Sequence, residues 1–171
     1  MKSCRSVDDS YGEVWSAKWR APCAVLGIQS DGNHITRIAF LPDEVKTSSP
    51  SDAISDRAID ELSLYFRDAT FSFTVPILPQ GTLFQQRVWQ ALREIPTGAT
   101  LTYQTLADQL KSSPRAVGNA CGANPIVIVI PCHRVVARHG LGGFMHTREG
   151  DPLHIKRFLL GHESALPEGV R

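Results

Sequence analysis

Nowhere in this 171-residue chain does an apolar run approach the roughly 20 residues that a membrane-spanning helix needs, which sets the first limit on function. The start, Met1-Lys2-Ser3-Cys4-Arg5, lacks the apolar core of a secretion signal, so the chain reads as intracellular, with a cytoplasmic location and no membrane partner expected. Cysteine is scarce as well. Cys4, Cys23, Cys121 and Cys132 show no paired spacing, and a chain with this much core needs no staples, so free thiols in a reducing compartment are expected. Charge of one sign is missing too: the formal net charge is +1. That balance hides a tilt, because residues 1–80 hold eight Lys and Arg against eleven Asp and Glu while residues 81–171 hold ten against six. The tilt is compatible with a modest nucleic-acid footprint and decides nothing alone.

What is present is an ordinary globular composition, 42% hydrophobic and 20% charged. The segments Cys23–Gln29 and His34–Leu41 flank Ser30-Asp31-Gly32-Asn33 and read as a hairpin with Asp-Gly at its turn. Ile54, Ala58, Leu62, Tyr65 and Phe66 recur at helical spacing, and Phe71, Phe73 and Val75 alternate as in a strand before Pro76 and Pro79 interrupt. A small α+β domain over residues 1–79 is the expectation. From residue 80 to 171 the texture becomes helical. Thr82-Leu83-Phe84-Gln85 offers a capping box, and Phe84, Val88, Leu92 and Ile95 give one apolar face. A second helix is expected from Thr102 to about Leu110, and Ser112-Ser113-Pro114 starts a third through Cys121. Two short helices joined by a tight turn suggest a helix-turn-helix, a weak signal by itself. A last helix starts at Asp151-Pro152 and stops at Gly161-His162-Glu163.

The chemistry concentrates in Asn124-Pro125-Ile126-Val127-Ile128-Val129-Ile130-Pro131-Cys132-His133-Arg134-Val135-Val136. Five β-branched residues read as a buried strand, and Pro131 ends it and turns the chain as it presents Cys132. A thiol after such a run is more often a small buried hydrophobe than a nucleophile. Here, however, the polar residues that follow Pro131 must reach a surface or cleft. The neighbouring imidazole and guanidinium both favour the thiolate, so Cys132 is the candidate nucleophile. In an extended chain His133 points away from Cys132 and serves it directly only through a bend, and a water between them solves that geometry. The imidazole then needs a carboxylate to hold its tautomer, for which Glu163 is a candidate. Cys121, among Ala and Gly, has no adjacent base and reads as core filler, and His139, His146 and His154 read as solvent-facing.

Pro131-Cys132-His133-Arg134-Val135-Val136 preceded by Gly122-Ala123-Asn124-Pro125 resembles the signature of the O6-alkylguanine-DNA alkyltransferases, the methylated-DNA–protein-cysteine S-methyltransferase family. The likeness runs from Phe84-Gln85-Gln86-Arg87-Val88-Trp89 through Thr102-Tyr103 and Arg115-Ala116-Val117-Gly118 to Leu159-Leu160-Gly161-His162-Glu163. Agreement in order and spacing over roughly eighty residues is far more specific than one tetrapeptide. The resemblance implies an α+β fold with a ribonuclease H-like N-terminal domain and a C-terminal domain carrying a winged-helix-like helix-turn-helix. It also implies a monomeric repair protein that needs no cofactor. Such a protein moves an alkyl group from guanine O6, and also thymine O4, in double-stranded DNA onto Cys132, once and irreversibly. By the same resemblance His133 removes the thiol proton through water and Glu163 supports it. Tyr103 donates toward the guanine ring, Asn124 holds the turn, and the Val135 carbonyl accepts from the guanine amino group. Arg115 fills the stack vacated by a flipped nucleotide, while Ala116, Gly118, Tyr103 and Arg134 complete the DNA-binding set.

Singly, each of these residues has a bland reading: Tyr103 as packing, Arg115 and Glu163 as solvated charges, Asn124 as a turn former. They gain weight by matching one motif set in one order. The loop Gly140–Asp151 departs from the family. Phe144 stands for a tyrosine, and Met145 and His146 stand where small residues are common, so a narrowed pocket with methyl preferred to benzyl is expected. Some family members carry zinc, but Cys4, Cys23 and His34 show no fourth ligand, and no metal is assigned. Two alternatives stay open: a non-catalytic alkylguanine-DNA binder, which lacks the cysteine that this chain retains, and a Cys-His hydrolase, which needs oxyanion donors.

Overall fold

The computed structural model describes residues 14–145 and 151–167. The Asp31 side chain accepts from the N–H groups of Asn33 and His34 at 2.8 and 2.7 Å, and Gly32 takes the left-handed backbone (φ 90°) that this tight turn requires. The expected hairpin follows as β2 (Val25–Ser30) and β3 (Ile35–Leu41), antiparallel. A strand the sequence did not signal, β1 (Ala17–Arg20), pairs antiparallel with β2 and completes the order β1-β2-β3. Only Ala17 of its four residues is buried, so it shows no apolar alternation.

Helix α1 (Ala53–Arg67) begins at Asp52, whose side chain accepts from Ser55 N–H at 2.8 Å and from the Ser30 hydroxyl at 2.7 Å. The same cap therefore starts the helix and fastens it to the hairpin. The predicted stripe of Ala58, Leu62 and Tyr65 is buried. The strand expected over Phe71–Val75 does not form. Glu61 of α1 takes the N–H groups of Thr74 and Val75 at 2.8 and 2.9 Å, leaving them unable to enter a ladder. The extended segment then touches the sheet at a single parallel bridge, Ile35 with Ile77.

The helical half follows its capping signals. Helix α2 (Leu83–Arg93) carries the Thr82–Gln85 capping box, α3 (Tyr103–Gln109) is capped by Thr102, and α4 (Pro114–Gly122) is capped by Ser113 with proline in its first turn. Strands β4 (Leu101–Thr102) and β5 (Val135–Val136) pair in parallel, and α5 (Asp151–His162) closes the chain. The apolar core is continuous from Ala17 to Leu159.

The β-branched run is the main correction. Residues 126–130 are buried as expected but form no strand beyond isolated bridges, one of them between Ile38 and Ile126. Asn124 explains this: its Oδ1 accepts from Ile126 N–H at 3.0 Å while its Nδ2 donates to the Ile130 carbonyl at 2.7 Å. The run folds back on itself as an apolar plug. Ile128 makes the reversal at φ 72°, a region that disfavours β-branched side chains. Among the described residues, no helix is long and apolar enough to cross a membrane.

Candidate active site

The plug delivers Cys132, His133 and Arg134 as one 3-10 turn, not as extended chain. The chain is therefore bent between Cys132 and His133, and both side chains sit inside: they are 4% and 1% exposed. Cys132 lies in the wall of a cleft of about 700 Å³ shared with Tyr103, Arg115, Gly118, Phe144 and Met145. A second cleft of about 540 Å³, between β3 and the end of α4, also reaches Cys132 and Met145.

Asn124 governs the sulfur as well as the plug, since Nδ2 lies 3.1 Å from Cys132 Sγ. Burial pushes the Cys132 thiol above its ordinary pKa, and the Asn124 contact and then the Lys156 charge pull the other way. Burial likewise holds His133 below the ordinary imidazole value, so the ring is a neutral base at neutral pH. Its Nε2 faces Glu163 Oε1 at 2.9 Å, and its Nδ1 is buried without a protein partner. A carboxylate on Nε2 fixes the proton there and leaves Nδ1 as the accepting nitrogen.

Glu163 sits just past α5, where the Glu163 N–H donates to the Leu159 carbonyl at 3.0 Å. Burial alone would raise its pKa, but the His133 and Arg134 hydrogen bonds outweigh it and hold the carboxyl at about 2. Arg134 is the second correction. It was expected at DNA, yet its side chain is only 11% exposed and turns inward. Nε and Nη2 bond Glu163 at 2.9 and 3.0 Å, Nη1 donates to the Ile95 carbonyl, and Nη2 also reaches Thr97 Oγ1. A buried carboxylate is the stronger claim on that guanidinium than solvent-facing phosphate.

The other predicted residues divide. Arg115 is exposed on α4 at the first cleft, Gly118 lines the same cleft, and Ala116 donates its N–H to the Ser113 cap. The Tyr103 hydroxyl donates to the Gly143 carbonyl at 2.9 Å, and burial raises its pKa. Phe144 is buried and Met145 half-buried. His139 and His154 are exposed as expected, and Cys121 is buried. Cys4 and His146 lie outside the described residues. Among the described residues, no group of three or more His, Cys, Asp or Glu could hold a metal.

Two residues escaped the sequence reading. Lys156, fully buried, donates to the carbonyls of Val135, Leu141 and Gly143 at 2.6, 2.7 and 2.9 Å, so one ammonium ties β5 to the cleft loop. Its burial lowers the pKa to about 8. The signal was a charge on the apolar face of α5, three residues from both Leu153 and Leu159. The second is Tyr65, whose hydroxyl donates to Glu163 at 2.7 Å across 98 positions, a contact no local pattern announces. Gly142 permits the loop's approach: at φ 71°, a Cβ there would stand 2.9 Å from Ala137 N and 3.0 Å from the Tyr103 ring.

Residues 83–165 match the family model described as 6-O-methylguanine DNA methyltransferase, DNA binding domain. The methylated-DNA–protein-cysteine methyltransferase of Methanosarcina mazei is 37% identical over 82% of this chain and 91% of its own length. That of Mycobacterium tuberculosis is 37% identical over 85% and 89%. The crystal structure of the M. tuberculosis O6-methylguanine methyltransferase superposes with a TM-score of 0.74 at 34% identity, covering 89% of this chain and 93% of that one. The M. tuberculosis OGT in complex with DNA gives 0.71 at 36%, covering 88% and 94%.

Proposed function

The chain belongs to the methylated-DNA–protein-cysteine methyltransferase family, and from that premise we propose that it repairs DNA by moving an alkyl group, chiefly methyl, from guanine O6 in double-stranded DNA onto Cys132. The observation that carries this reading is Cys132 in the wall of the cleft that the exposed Arg115 of α4 also lines, its sulfur 3.1 Å from Asn124 Nδ2 and followed in the same 3-10 turn by the His133 of a buried His133–Glu163 pair. The reaction is a displacement at saturated carbon, so it needs an aligned thiolate and a leaving base, and no oxyanion hole.

The Cys132 proton passes through a water to His133 Nδ1, and the imidazolium is held by Glu163. A sulfur lone pair then forms the S–C bond as the C–O6 bond breaks, and the released electron pair goes to the guanine, toward which the Tyr103 hydroxyl turns from the Gly143 carbonyl, itself still bonded by Lys156. The Val135 carbonyl, which accepts from Lys156 at 2.6 Å, is in this reading also the acceptor for the guanine amino group. Thioether formation has no reverse step here, so each molecule acts once.

The target atom lies inside a stacked duplex, so the nucleotide is rotated out at a cost of about a few kcal/mol, with Arg115 entering the vacated space. The half-buried Gly118 and Ala116 let the α4 backbone approach the minor groove. In this reading α3 and α4 form a winged-helix-like helix-turn-helix in a domain over residues 80–171, and residues 1–79 form a ribonuclease H-like unit. The protein works as a cytoplasmic monomer without cofactor, and O4-alkylthymine is a further substrate.

The test is intact-mass spectrometry after incubation with a duplex carrying labelled O6-methylguanine. One methyl addition that Cys132→Ala lacks supports transfer. Tight binding with unchanged mass establishes a binder instead, and repeated turnover establishes a hydrolase.

A further inference from the structure

We infer that Tyr65, on α1 in the N-terminal half, is a positioning residue for the transfer reaction, fixing the Glu163 carboxylate that in turn holds His133. The inference rests on the roles proposed above for Cys132, His133 and Glu163.

Tyr65 is gripped at both ends by consecutive residues of the C-terminal half. Its main-chain carbonyl faces His162 Nε2 at 2.8 Å, and its hydroxyl donates to Glu163 Oε1 at 2.7 Å. The ring has little room to move: it meets the His162 ring at 5.1 Å, Phe66 at 5.2 Å and Phe73 at 5.5 Å between centroids. Burial, and then the Glu163 charge, keep the phenol protonated, so it acts only as a donor to the carboxylate.

Glu163 Oε1 is the oxygen that faces His133 Nε2 at 2.9 Å, and it also accepts from Arg134 Nη2 at 3.0 Å. The Arg134 guanidinium is itself tied to the Ile95 carbonyl and Thr97 Oγ1, whereas Tyr65 brings its donor to Oε1 from α1. A third donor on one oxygen lowers its basicity, so Tyr65 weakens the hold of Glu163 on an imidazolium proton. That matters because His133 must be neutral to accept the Cys132 proton. The other charged or titratable groups around this set are His162 and Lys156 from α5, Cys132 from the 3-10 turn and Cys23 from the entry to β2. None of them bonds the Tyr65 hydroxyl, so its removal changes Glu163 first.

The experiment uses the full-length protein, Tyr65→Phe, and Phe66→Leu as a packing control in the same aromatic cluster. Single-turnover rates on the O6-methylguanine duplex are followed from acid to alkaline pH. In Tyr65→Phe the acid limb is expected to move up by about half to one pH unit, lowering the rate there roughly 3- to 10-fold while the alkaline plateau stays within about twofold. The His133 Nε2 proton resonance, read by NMR without DNA, is expected to move downfield as its bond to Oε1 tightens. Phe66→Leu is expected to lower the melting temperature and move neither readout. Superimposable pH profiles with an unmoved resonance, or an equal rate loss at every pH in both variants, overturn the role of Tyr65. Failure of the wild-type protein to transfer at all overturns the proposed function instead, whereas the resonance still reports on Tyr65.

Discussion

Replacing Glu163 by Gln keeps the shape of the side chain and removes its charge. The carboxylate is 3% exposed and accepts from Tyr65, His133 and, twice, Arg134. An amide oxygen can stand in for Oε1, but the amide NH2 then meets Arg134 Nε–H donor to donor, and the mostly buried guanidinium loses its counter-charge. Breaking a buried pair in this way costs about 3–5 kcal/mol. The pH dependence gives a second, independent magnitude. A carboxyl held at about 2 in the folded state against 4.5 ordinarily corresponds to about 3 kcal/mol of stability. Between those values the unfolded chain binds a proton that the folded chain refuses. The contribution is therefore complete above pH 4.5 and is lost as the pH falls toward 2. Glu163→Gln has no such contribution to lose. Guanidinium-chloride unfolding of both proteins, stepped from neutral to acid pH, should show the variant about 3–5 kcal/mol less stable at neutral pH, with the gap narrowing by about 3 kcal/mol on acidification. A gap that stays constant across that window refutes the claim that this carboxylate is ionised and held by its partners.

Lys156→Met removes three carbonyl bonds at the cleft loop and should lower stability at neutral pH by about 3 kcal/mol, or the melting temperature by roughly 6–12 °C in calorimetry. Because the folded-state pKa of about 8 lies below the ordinary 10.5, the unfolded chain holds the extra proton between them, so the wild-type protein alone should gain stability over that range and the gap should widen. Met145 borders both clefts at Cys132, so the wild-type protein should transfer methyl roughly tenfold faster than benzyl, and Met145→Ala should bring the two rates together. Equal rates in the wild-type protein would defeat the narrowed-pocket expectation.

How much of this was legible follows from the range over which each signal acts. The starts of α2 and α4 were readable because a cap acts over three residues, as Thr82 with Gln85 and Ser113 with Ala116 do. The plug was not readable as a plug. An unbroken apolar run cannot separate a buried strand from a buried reversal, and Asn124 closes the reversal with two side-chain bonds that propensity does not encode. Arg134 was misassigned because adjacency to Cys132 suggested a shared partner, whereas its partner lies 29 residues away. Glu163 was a candidate from the carboxylate that an imidazole base needs, to which the family likeness added weight, while Tyr65, 98 positions distant, had only a packing pattern to show.

Burial of Cys132, the proposed nucleophile, is where the site and the reaction meet. An apolar wall raises the Cys132 pKa, which reduces the thiolate present at rest and would handicap an enzyme that must turn over. Nucleophilicity, however, rises with pKa, with a Brønsted slope of about 0.4–0.5, so each thiolate formed in this wall attacks harder. The two effects are separable if the proton leaves only when substrate is in place. In the proposed mechanism His133, kept neutral and aimed by Glu163, takes it at that moment, and Asn124 Nδ2, 3.1 Å from the sulfur, steadies the charge that results. A protein that reacts once needs no path for releasing product from its own sulfur, so the close walls that suit the attack carry no later penalty. The same walls make the finished thioether one group too large for its site, because a well-packed interior resists added carbon by about 1–3 kcal/mol. The alkylated protein should therefore unfold at a lower temperature than the unreacted one.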